Sequence, residues 1–259
     1  MARRPSRRDL LKALGLGAAS VFAPRRLSGA KAADAETKPN FILIMADDLG
    51  YADVGCYGCK TIRTPHIDAL AARGMRLTDY HSNGAVCSPT RAALLTGRYQ
   101  QRSGIEGVVT AKGHRHTGLA PAETTFAEVL KSAGYVTGLF GKWHLGYRVE
   151  FNPVRQGFDE FRGYVSGNVD YHSHIDQVGE EDWWAGEKLT PEKGYSTDLI
   201  SKHGEAFIER HRDRPFCLYL PHEAPHYPLQ GRNDKADRSP GKPSRSGAAA
   251  RTRPPPTRR

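Results

Sequence analysis

The chain has 259 residues, which is enough for one large α/β domain or two small ones. Its formal net charge is +10, but residues 1–31 and residues 231–259 each carry +7, which leaves the body between them at −4. No motif typical of DNA or RNA binding accompanies the basic ends, so the composition does not favour a nucleic-acid partner.

The N-terminal segment has the pattern of an export signal. The basic stretch "SRRDLLK" precedes the apolar stretch "ALGLGAASVFAP", which is too short to span a bilayer, and small residues follow in "GAKAADA". The adjacent arginines indicate the twin-arginine translocon, which carries folded proteins. We expect a signal over residues 1–32, a periplasmic or extracellular mature chain from about Ala33, and no stable membrane insertion. A basic amphipathic surface helix is the alternative.

The first predicted elements are a strand and a helix. The apolar run "FILIMA" has strand length and is followed by two aspartates. The stretch "TPHIDALAARG" predicts a helix with Thr64 as its N-cap, a proline at the first position and Gly74 at its end.

A second helix is predicted with Ser88 as its N-cap, Pro89 at the first position and Gly97 at its end. Arg91 then lies in the first turn, four residues after Cys87, on the same side of the helix entrance. A helix N-terminus with a fixed cation beside it suits an anion, or a nucleophile that attacks one.

The chain contains four cysteines, an even number that allows disulfides in an exported protein. Cys56 and Cys59 have the spacing of a zinc or redox motif, but no second pair completes a zinc site. We interpret both as loop cysteines that can be bridged. Cys217 lies in an apolar run and is interpreted as a core residue.

The later elements alternate in the same way. The stretch "TTFAEVLKSAGY" predicts a helix that leads into the strand "YVTGLF", and residues 196–211 predict a helix that leads into "PFCLYL". This alternation predicts an α/β fold with a mostly parallel or mixed sheet that is sandwiched by helices on both faces. Residues 146–193 predict loops.

The last part of the chain has a different composition. Residues 231–259 contain no Leu, Ile, Val, Phe, Tyr or Trp, so they cannot bury enough apolar surface to offset their ordering entropy. We predict a disordered basic tail here, either an interaction tail or the product of truncation or a shifted reading frame. The folded domain is then expected over residues 38–230.

Polar side chains capable of chemistry follow three of the predicted strands: Asp47 and Asp48, Lys142 and His144, and His222 and His226. In open parallel sheets ligands bind outside the carboxyl ends of the strands, so these clusters are expected to converge. Each alone is also typical of turns, caps or packed loops. Together with Cys87 and Arg91 they suit the transfer of sulfate or phosphate, because they combine cations, carboxylates and titratable histidines.

The stretch "CSPTR" beside "AALLTGRY" resembles the Cys/Ser-x-Pro-x-Arg signature of the type I sulfatases, the formylglycine-dependent branch of the alkaline-phosphatase-like superfamily. Further matches follow the family's order: "MADDLGY", "IRTPHIDALAARG", "GKWHLG", "GFDEF" with "SGNVDYHSH", and "FCLYLPHEAPHYPLQ". They cover about residues 40–230. The resemblance implies an alkaline-phosphatase-like fold and the hydrolysis of sulfate monoesters.

The resemblance also implies that Cys87 is not used as a thiol. A formylglycine-generating enzyme would oxidise it to formylglycine, and the hydrated aldehyde would supply the hydroxyl that attacks sulfur. Asp47 and Asp48, together with residue 87, would bind Ca²⁺, with Mg²⁺ as the alternative.

The other catalytic roles come from the same resemblance. Arg91 would hold the formylglycine, and Lys142 would pair with the sulfate. His144 would take the proton when the sulfated intermediate collapses. His226 would bind the ester and help to protonate the leaving oxygen.

Several polar residues are assigned less directly. Ser166, or its neighbour Asn168, would touch the substrate, an aryl or carbohydrate sulfate ester. His222 has no counterpart in the resemblance and is interpreted as structural. The histidine pairs at 114/116 and 172/174 lie in polar loops without a third metal ligand, so we interpret them as solvated or cavity-rim residues. The second pair is a candidate for shaping substrate choice.

The resemblance ends at about Gln230, whereas complete members of the family are longer and add calcium ligands, a lysine and a smaller sheet domain. We therefore expect a C-terminally truncated chain with an uncovered sheet edge, whose activity is in question. Two alternatives stay open. One is a formylglycine-dependent phosphonate or phosphodiester hydrolase, and the other is an inactive fragment whose basic tail binds polyanions.

Overall fold

The computed structural model describes residues 38–242, and the predicted export signal at residues 1–32 lies outside them. The helices and strands in chain order are β1 (Phe41–Asp47), α1 (Pro65–Arg73), α2 (Cys87–Thr96), α3 (Phe126–Ser132), β2 (Val136–Lys142), β3 (Glu160–Tyr164), β4 (Trp184–Ala185), β5 (Lys188–Leu189), α4 (Ser196–His211) and β6 (Phe216–Pro225). No helix within the described part of the chain is both long enough and apolar enough to cross a bilayer.

The strands form one sheet in the order β1-β6-β2-β3-β4-β5. The first four are mutually parallel, while the short β4 and β5 pair antiparallel at one end. Strand β6 therefore lies between β1 and β2, and its register places Phe41 opposite Cys217 and Asp47 opposite Pro225. The carboxyl ends of β1, β6 and β2 consequently meet at the same edge of the sheet.

The core fills both faces of the sheet because successive strand residues point to opposite sides. On β2, Leu139 packs on the side of α2 and α3, and its neighbour Phe140 packs on the side of α4. On β6, Tyr219 and Leu218 divide in the same way. Strand β2 is buried along its whole length, so the residues at its carboxyl end are held between two packed layers.

Close backbone approach also shapes this end of the sheet. Gly141 has φ +131°, and a Cβ added there would lie 2.2 Å from the Pro221 carbonyl oxygen of β6. A side chain at this position would push β6 away from β2, so glycine is required where the two strands end together.

Most of the predicted elements are confirmed. Thr64 and Gly74 flank α1 as predicted, α4 has the predicted bounds, and all three predicted strands form. The prediction of loops over residues 146–193 is wrong in part, because β3 lies there and pairs with β2. Strand β6 also runs further than predicted, so His222 lies within the strand.

The expectation that helices cover both faces fails at β1. Phe41, Ile42 and Ile44 are 44%, 50% and 61% exposed, and Asp47 alone is buried in this strand. Within residues 38–242, β1 pairs with β6 on one side only, so it forms the open edge of the sheet.

Residues 231–242 differ from the predicted disorder. Arg238 is 5% exposed, and its guanidinium donates hydrogen bonds to the side chain of Asn168 (2.6 Å) and to the carbonyl of Ile175 (3.2 Å). The backbone N–H of the same residue donates to Asp170. Polar contacts thus hold this segment where its composition offers no apolar core. The remainder of the predicted tail, residues 243–259, lies outside the described residues.

Candidate active site

The polar clusters predicted to converge lie at the carboxyl edge of the sheet. Asp47 is the last residue of β1, Lys142 is the last residue of β2, and His226 directly follows β6. A cavity of about 640 Å³ opens here and is lined in part by Asp47, Asp48, Cys87 and Arg91. The parallel register of the three strands is what brings these groups together.

The carboxylate of Asp47 is bound by two cations. The fully buried ammonium of Lys142 donates to Oδ2, and the guanidinium Nη2 of Arg91 lies 3.5 Å from the same oxygen. Burial would raise the pKa of Asp47, but these two cations outweigh it and lower the pKa. Asp47 is therefore ionised, and its carboxylate is held in place by the buried side chains of Lys142 and Arg91.

Asp48 points the other way. Its backbone has φ 62°, in the left-handed region that Asp tolerates better than most residues. Its side chain is 62% exposed, and Oδ2 lies 3.7 Å from Nε2 of His226. The adjacent carboxylates thus divide, one toward the cations and one toward solvent and His226.

Helix α2 begins at Cys87, two residues earlier than the predicted start at Pro89. Its N-cap is Val86, so the prediction of Ser88 as N-cap is wrong, while Gly97 ends the helix as predicted. The Ser88 hydroxyl instead accepts a hydrogen bond from the Val109 N–H at 3.1 Å. The Ser88 hydroxyl therefore binds the distant Val109 N–H and does not cap the helix. Cys87 is the first residue of the helix.

The two candidate residues of α2 have different environments. Arg91 is buried, and its Nη1 donates to the carbonyl of Lys142 at 2.9 Å, which ties the helix to the end of β2. Burial raises the pKa of the Cys87 thiol and outweighs the opposing effect of Lys142. The residue is therefore a neutral thiol near pH 7 and a poor nucleophile in that form.

His144 is fixed by a short chain of contacts. Its Nε2 lies 3.1 Å from the Val109 carbonyl. The N–H of Val109 in turn donates a hydrogen bond to the Ser88 hydroxyl. Because a carbonyl can only accept, Nε2 carries the proton and Nδ1 has the free lone pair. Burial lowers the pKa of His144 well below its usual value, so the ring is neutral and Nδ1 is available to take a proton.

A glycine loop closes over the His144 ring. A Cβ at Gly167 would lie 2.8 Å from Nε2 of His144, so only glycine fits. The preceding backbone is fixed by the buried carboxylate of Asp182, which accepts from the N–H groups of Val165 (3.0 Å) and Ser166 (2.8 Å). The His144 ring is therefore held between the Val109 carbonyl, which binds Nε2, and the backbone at Gly167, which packs against the ring.

His226 is oriented in a related way. Its Nδ1 lies 2.6 Å from the Tyr227 carbonyl, which leaves Nε2 to face Asp48. Burial lowers the pKa of His226, and Lys142 adds to the effect. The backbone N–H of His226 donates to the carbonyl of Glu223 at 2.9 Å.

Three side chains at this edge can share a metal ion. Asp47, Cys87 and His226 each offer a ligand atom, and these atoms all lie within 4.8 Å of one another. The predicted set contained Asp48 in place of His226. The exposed carboxylate of Asp48 nevertheless adjoins this group, so the site offers two carboxylates, which suits a hard cation.

The remaining predicted residues lie away from this group. Ser166 is buried, and its hydroxyl donates to the Asn168 carbonyl at 3.0 Å rather than lining the cavity. Asn168 is itself buried and bound by Arg238. The interpretation of the 172/174 pair as solvated or rim residues is wrong for His174, which is 3% exposed and stacks on Trp183 at 4.3 Å.

All four cysteines lie within the described residues and are unpaired thiols. Cys217 is a core residue as predicted, and burial raises its pKa to about 11. Cys56 and Cys59 are half-buried in the loop that precedes α1.

Two buried acids near the site were missed by the sequence interpretation. Glu223 is fully buried, and its Oε1 accepts from the Val169 N–H at 2.8 Å. Asp182 holds the loop beside His144. Their one sequence signal is an acid within an apolar or aromatic stretch, "LPHEAP" and "EDWW". Such an acid must be paired or neutral if it is buried.

Comparison with known proteins finds proteins that are similar to this chain in sequence and in structure. The family model described as Sulfatase matches residues 39–252, which extends past Gln230, where the motif resemblance ended. Human arylsulfatase A is 36% identical over 248 residues, and mouse steryl-sulfatase is 47% identical over 150 residues. The crystal structure of Ps i-CgsB with k-i-k-neocarrahexaose is 36% identical and superposes with a TM-score of 0.69.

These matches are partial on the side of the relatives. They cover 84%, 54% and 75% of this chain, in the order given, but 47%, 24% and 47% of the relatives. The chain thus spans less than half of the length of each of these three proteins.

Proposed function

This chain belongs to the sulfatase family, and we propose that its site hydrolyses sulfate monoesters. Its sheet and helices correspond to part of the alkaline-phosphatase-like fold of that family. The observation that carries the proposal is the convergence of Cys87 with the buried Asp47–Lys142–Arg91 network and with His226. Fixed cations beside a helix N-terminus are what a sulfate group needs in order to bind and be polarised.

The state of Cys87 supports a modified nucleophile. A thiol whose pKa is raised by burial attacks sulfur poorly, although the residue stands at the start of a helix beside two cations. We propose that Cys87 is oxidised to formylglycine by a formylglycine-generating enzyme. The hydrated aldehyde would offer an oxygen nucleophile at the same place.

The charges of the site fit a divalent cation. Lys142 and Arg91 both contact Asp47, and their two positive charges equal in number the negative charges of Asp47 and Asp48, so a bound dication would give the site the positive charge that an anionic ester requires. Asp47, Asp48 and residue 87 would hold Ca²⁺, with Mg²⁺ as the alternative. When bound, the ion would polarise the sulfate oxygens.

The histidines would handle protons at defined atoms. Nδ1 of His144 has no hydrogen-bond partner among the described residues and has its lone pair free, so it would take the proton released when the sulfated residue collapses. Nε2 of His226 would face the leaving oxygen of the ester. Lys142 and Arg91 would hold the sulfate and residue 87, since both are fixed before substrate arrives.

The names of the relatives support a proposal for the substrate class, and the N-terminal sequence supports one for the cellular location. One structural relative was solved with a carrageenan-type oligosaccharide, and others are named steryl-sulfatase or arylsulfatase. We propose an aryl or carbohydrate sulfate ester as the substrate. We also propose export through the twin-arginine translocon, which residues 1–32 would direct.

The test begins with the mass of the Cys87 peptide after co-expression with a formylglycine-generating enzyme. Conversion of the thiol to the aldehyde lowers the mass by about 18 Da. The converted chain should then hydrolyse an aryl sulfate, and Cys87→Ala should not. If Cys87 stays a thiol while a control protein is converted, the proposal fails. Faster hydrolysis of the matched aryl phosphate or phosphodiester would point to the alternative hydrolase.

A further inference from the structure

The pair Cys56 and Cys59 lies in a tight turn that precedes α1. The N–H of Cys59 donates to the Val54 carbonyl at 3.2 Å, and the N–H of Gly58 donates to the Gly55 carbonyl at 2.8 Å. Gly58 has φ 103°, so the segment ends in the nested hydrogen bonds of a Schellman motif. Both thiols are therefore presented by one short, folded-back segment, in a tight turn of the kind that a four-residue disulfide loop requires.

Helix α1 holds this turn in place. Oδ1 of Asp68 accepts from the Cys56 N–H at 2.6 Å and from the Thr64 hydroxyl at 3.0 Å. That hydroxyl in turn accepts from the N–H of Gly55 at 2.8 Å. The positions of the two cysteines are thus fixed by the fold and not only by their spacing in the sequence.

The cysteines of this chain differ in their surroundings. The Sγ of Cys59 accepts from the Ile62 N–H at 3.3 Å and lies 3.6 Å from the Thr61 hydroxyl. These contacts stabilise the thiolate and lower the pKa of Cys59, with the Ile62 N–H as the main cause. Burial raises the pKa of Cys87 and of Cys217. Cys59 is consequently the thiol best suited to attack.

We propose that Cys56 and Cys59 form a redox site that exchanges with disulfides, with Cys59 as the attacking thiol and Cys56 as the resolving thiol. The Cys59 thiolate attacks one sulfur of a disulfide RSSR, which forms a mixed disulfide and releases one RS⁻. The Cys56 thiolate then attacks the Cys59 sulfur, the Cys56–Cys59 bond forms, and the second RS⁻ leaves. RSSR is reduced to two thiols while the protein dithiol is oxidised.

This site adjoins the active-site cavity through Tyr57, the residue after Cys56. Tyr57 lines that cavity together with Asp48 and Cys87, and its hydroxyl donates to the Leu77 carbonyl at 3.0 Å. Closing the disulfide constrains the backbone on both sides of Tyr57, whose side chain lines the cavity. The redox state of the pair is thereby coupled to the shape of the cavity, whatever reaction takes place there.

The test uses the full reduced chain in buffers that contain oxidised and reduced glutathione. Samples are alkylated at intervals and the peptides are weighed. The bridged peptide escapes alkylation, so its mass should lie about 2 Da below that of the unalkylated dithiol peptide, while the reduced peptide carries two alkyl groups. In Cys56→Ser a glutathione adduct should accumulate on Cys59. In Cys59→Ser, Cys56 should react about tenfold more slowly than Cys59 does.

Two further variants test the turn and the proposed catalytic residue separately. Gly58→Ala strains the left-handed position without a steric contact, so bridge closure should slow by a few-fold while the rate of Cys59 alkylation stays unchanged. Cys87→Ala removes the proposed catalytic residue and should exchange normally, so failure of the sulfatase proposal leaves this result intact. The proposal is overturned if the folded chain closes the bridge no faster than the urea-unfolded chain. Equal alkylation rates for Cys56 and Cys59 also overturn it.

Discussion

Strands β1 and β2 flank the same central strand, and both are parallel to it, yet they differ sharply in burial. All seven residues of β2 are buried, whereas β1 buries only Asp47 and leaves Ile44 61% exposed. The residues that follow them differ in the same sense, because His144 is buried and Asp48 is largely exposed.

This difference divides the candidate site into two halves. The half supported by β2 and α2 provides the cations Lys142 and Arg91, which are rigid because packed layers surround them. The half supported by β1 provides Asp48 and the open cavity. The groups that we propose to bind the sulfate are thus preorganised in the core, while the accessible side is where we propose that an ion and the variable part of the ester enter.

The largest expected effect comes from breaking the buried half. Lys142→Met leaves the carboxylate of Asp47 buried with Arg91 as its remaining cation. We expect a loss of about 3–5 kcal/mol in the free energy of unfolding, measured by urea denaturation. Arg155→Met is the matched control, because its ion pair with Glu187 is exposed and should contribute about 0–1 kcal/mol. Equal losses in the two variants would contradict the division into halves.

A smaller effect is expected from crowding the His144 ring. Gly167→Ala places a Cβ 2.8 Å from Nε2, so the ring or the loop must move. We expect about 1–3 kcal/mol of destabilisation and, in an active converted chain, a rate loss of about 100-fold. Gly107→Ala is the control, since a Cβ there meets nothing within 4 Å. Wild-type stability in Gly167→Ala would show that the ring is not held by this loop.

The pH dependence of stability should also report on the buried half. His144 has a lowered pKa in the folded chain, so below about pH 6.5 the unfolded chain binds a proton that the folded chain does not. The free energy of unfolding should therefore fall as pH decreases through this range. Replacing His144 with Gln should reduce the slope by up to about 1.4 kcal/mol per pH unit. An unchanged slope in urea titrations between pH 7 and pH 5 would mean that His144 is protonated in the folded chain.

The smallest effect is expected on the open edge. Ile44→Thr replaces an exposed apolar side chain, and we expect the free energy of unfolding to change by less than about 0.5 kcal/mol. Leu139→Ala at a buried position of β2 should lose about 2–5 kcal/mol. A large loss in Ile44→Thr would show that β1 is covered in solution.

The sequence predicted secondary structure best where a regular apolar pattern continues over many neighbouring residues. The bounds of α4 agree with the prediction because its apolar period continues for 16 residues. Strand β3 was missed because it is five residues long and forms through pairing with β2, which no local pattern reveals. Ser88 shows the same limitation, since its preference for capping was overridden by the distant Val109 N–H.

The candidate site shows a similar division. The positions of Asp47, Lys142 and His226 at strand ends follow from the apolar runs that precede them. The groups that these three residues contact cannot be predicted from the apolar runs, because the contacting residues lie far apart in the chain. The role of Arg91 as a tie to the Lys142 carbonyl and the burial of His174 under Trp183 both depend on such contacts.

The central place of β6 has a consequence for the timing of folding during synthesis. The strand lies between β1 and β2 in the sheet but is the last of the strands within residues 38–242 to be synthesised, so β1 and β2 cannot be joined until the ribosome has passed Pro225. That point comes about 140 residues after Cys87, or about 7–30 s at typical elongation rates. Throughout that interval Cys87 lies in an open chain that a modifying enzyme can reach, and the later arrival of β6 sets when the residue becomes enclosed.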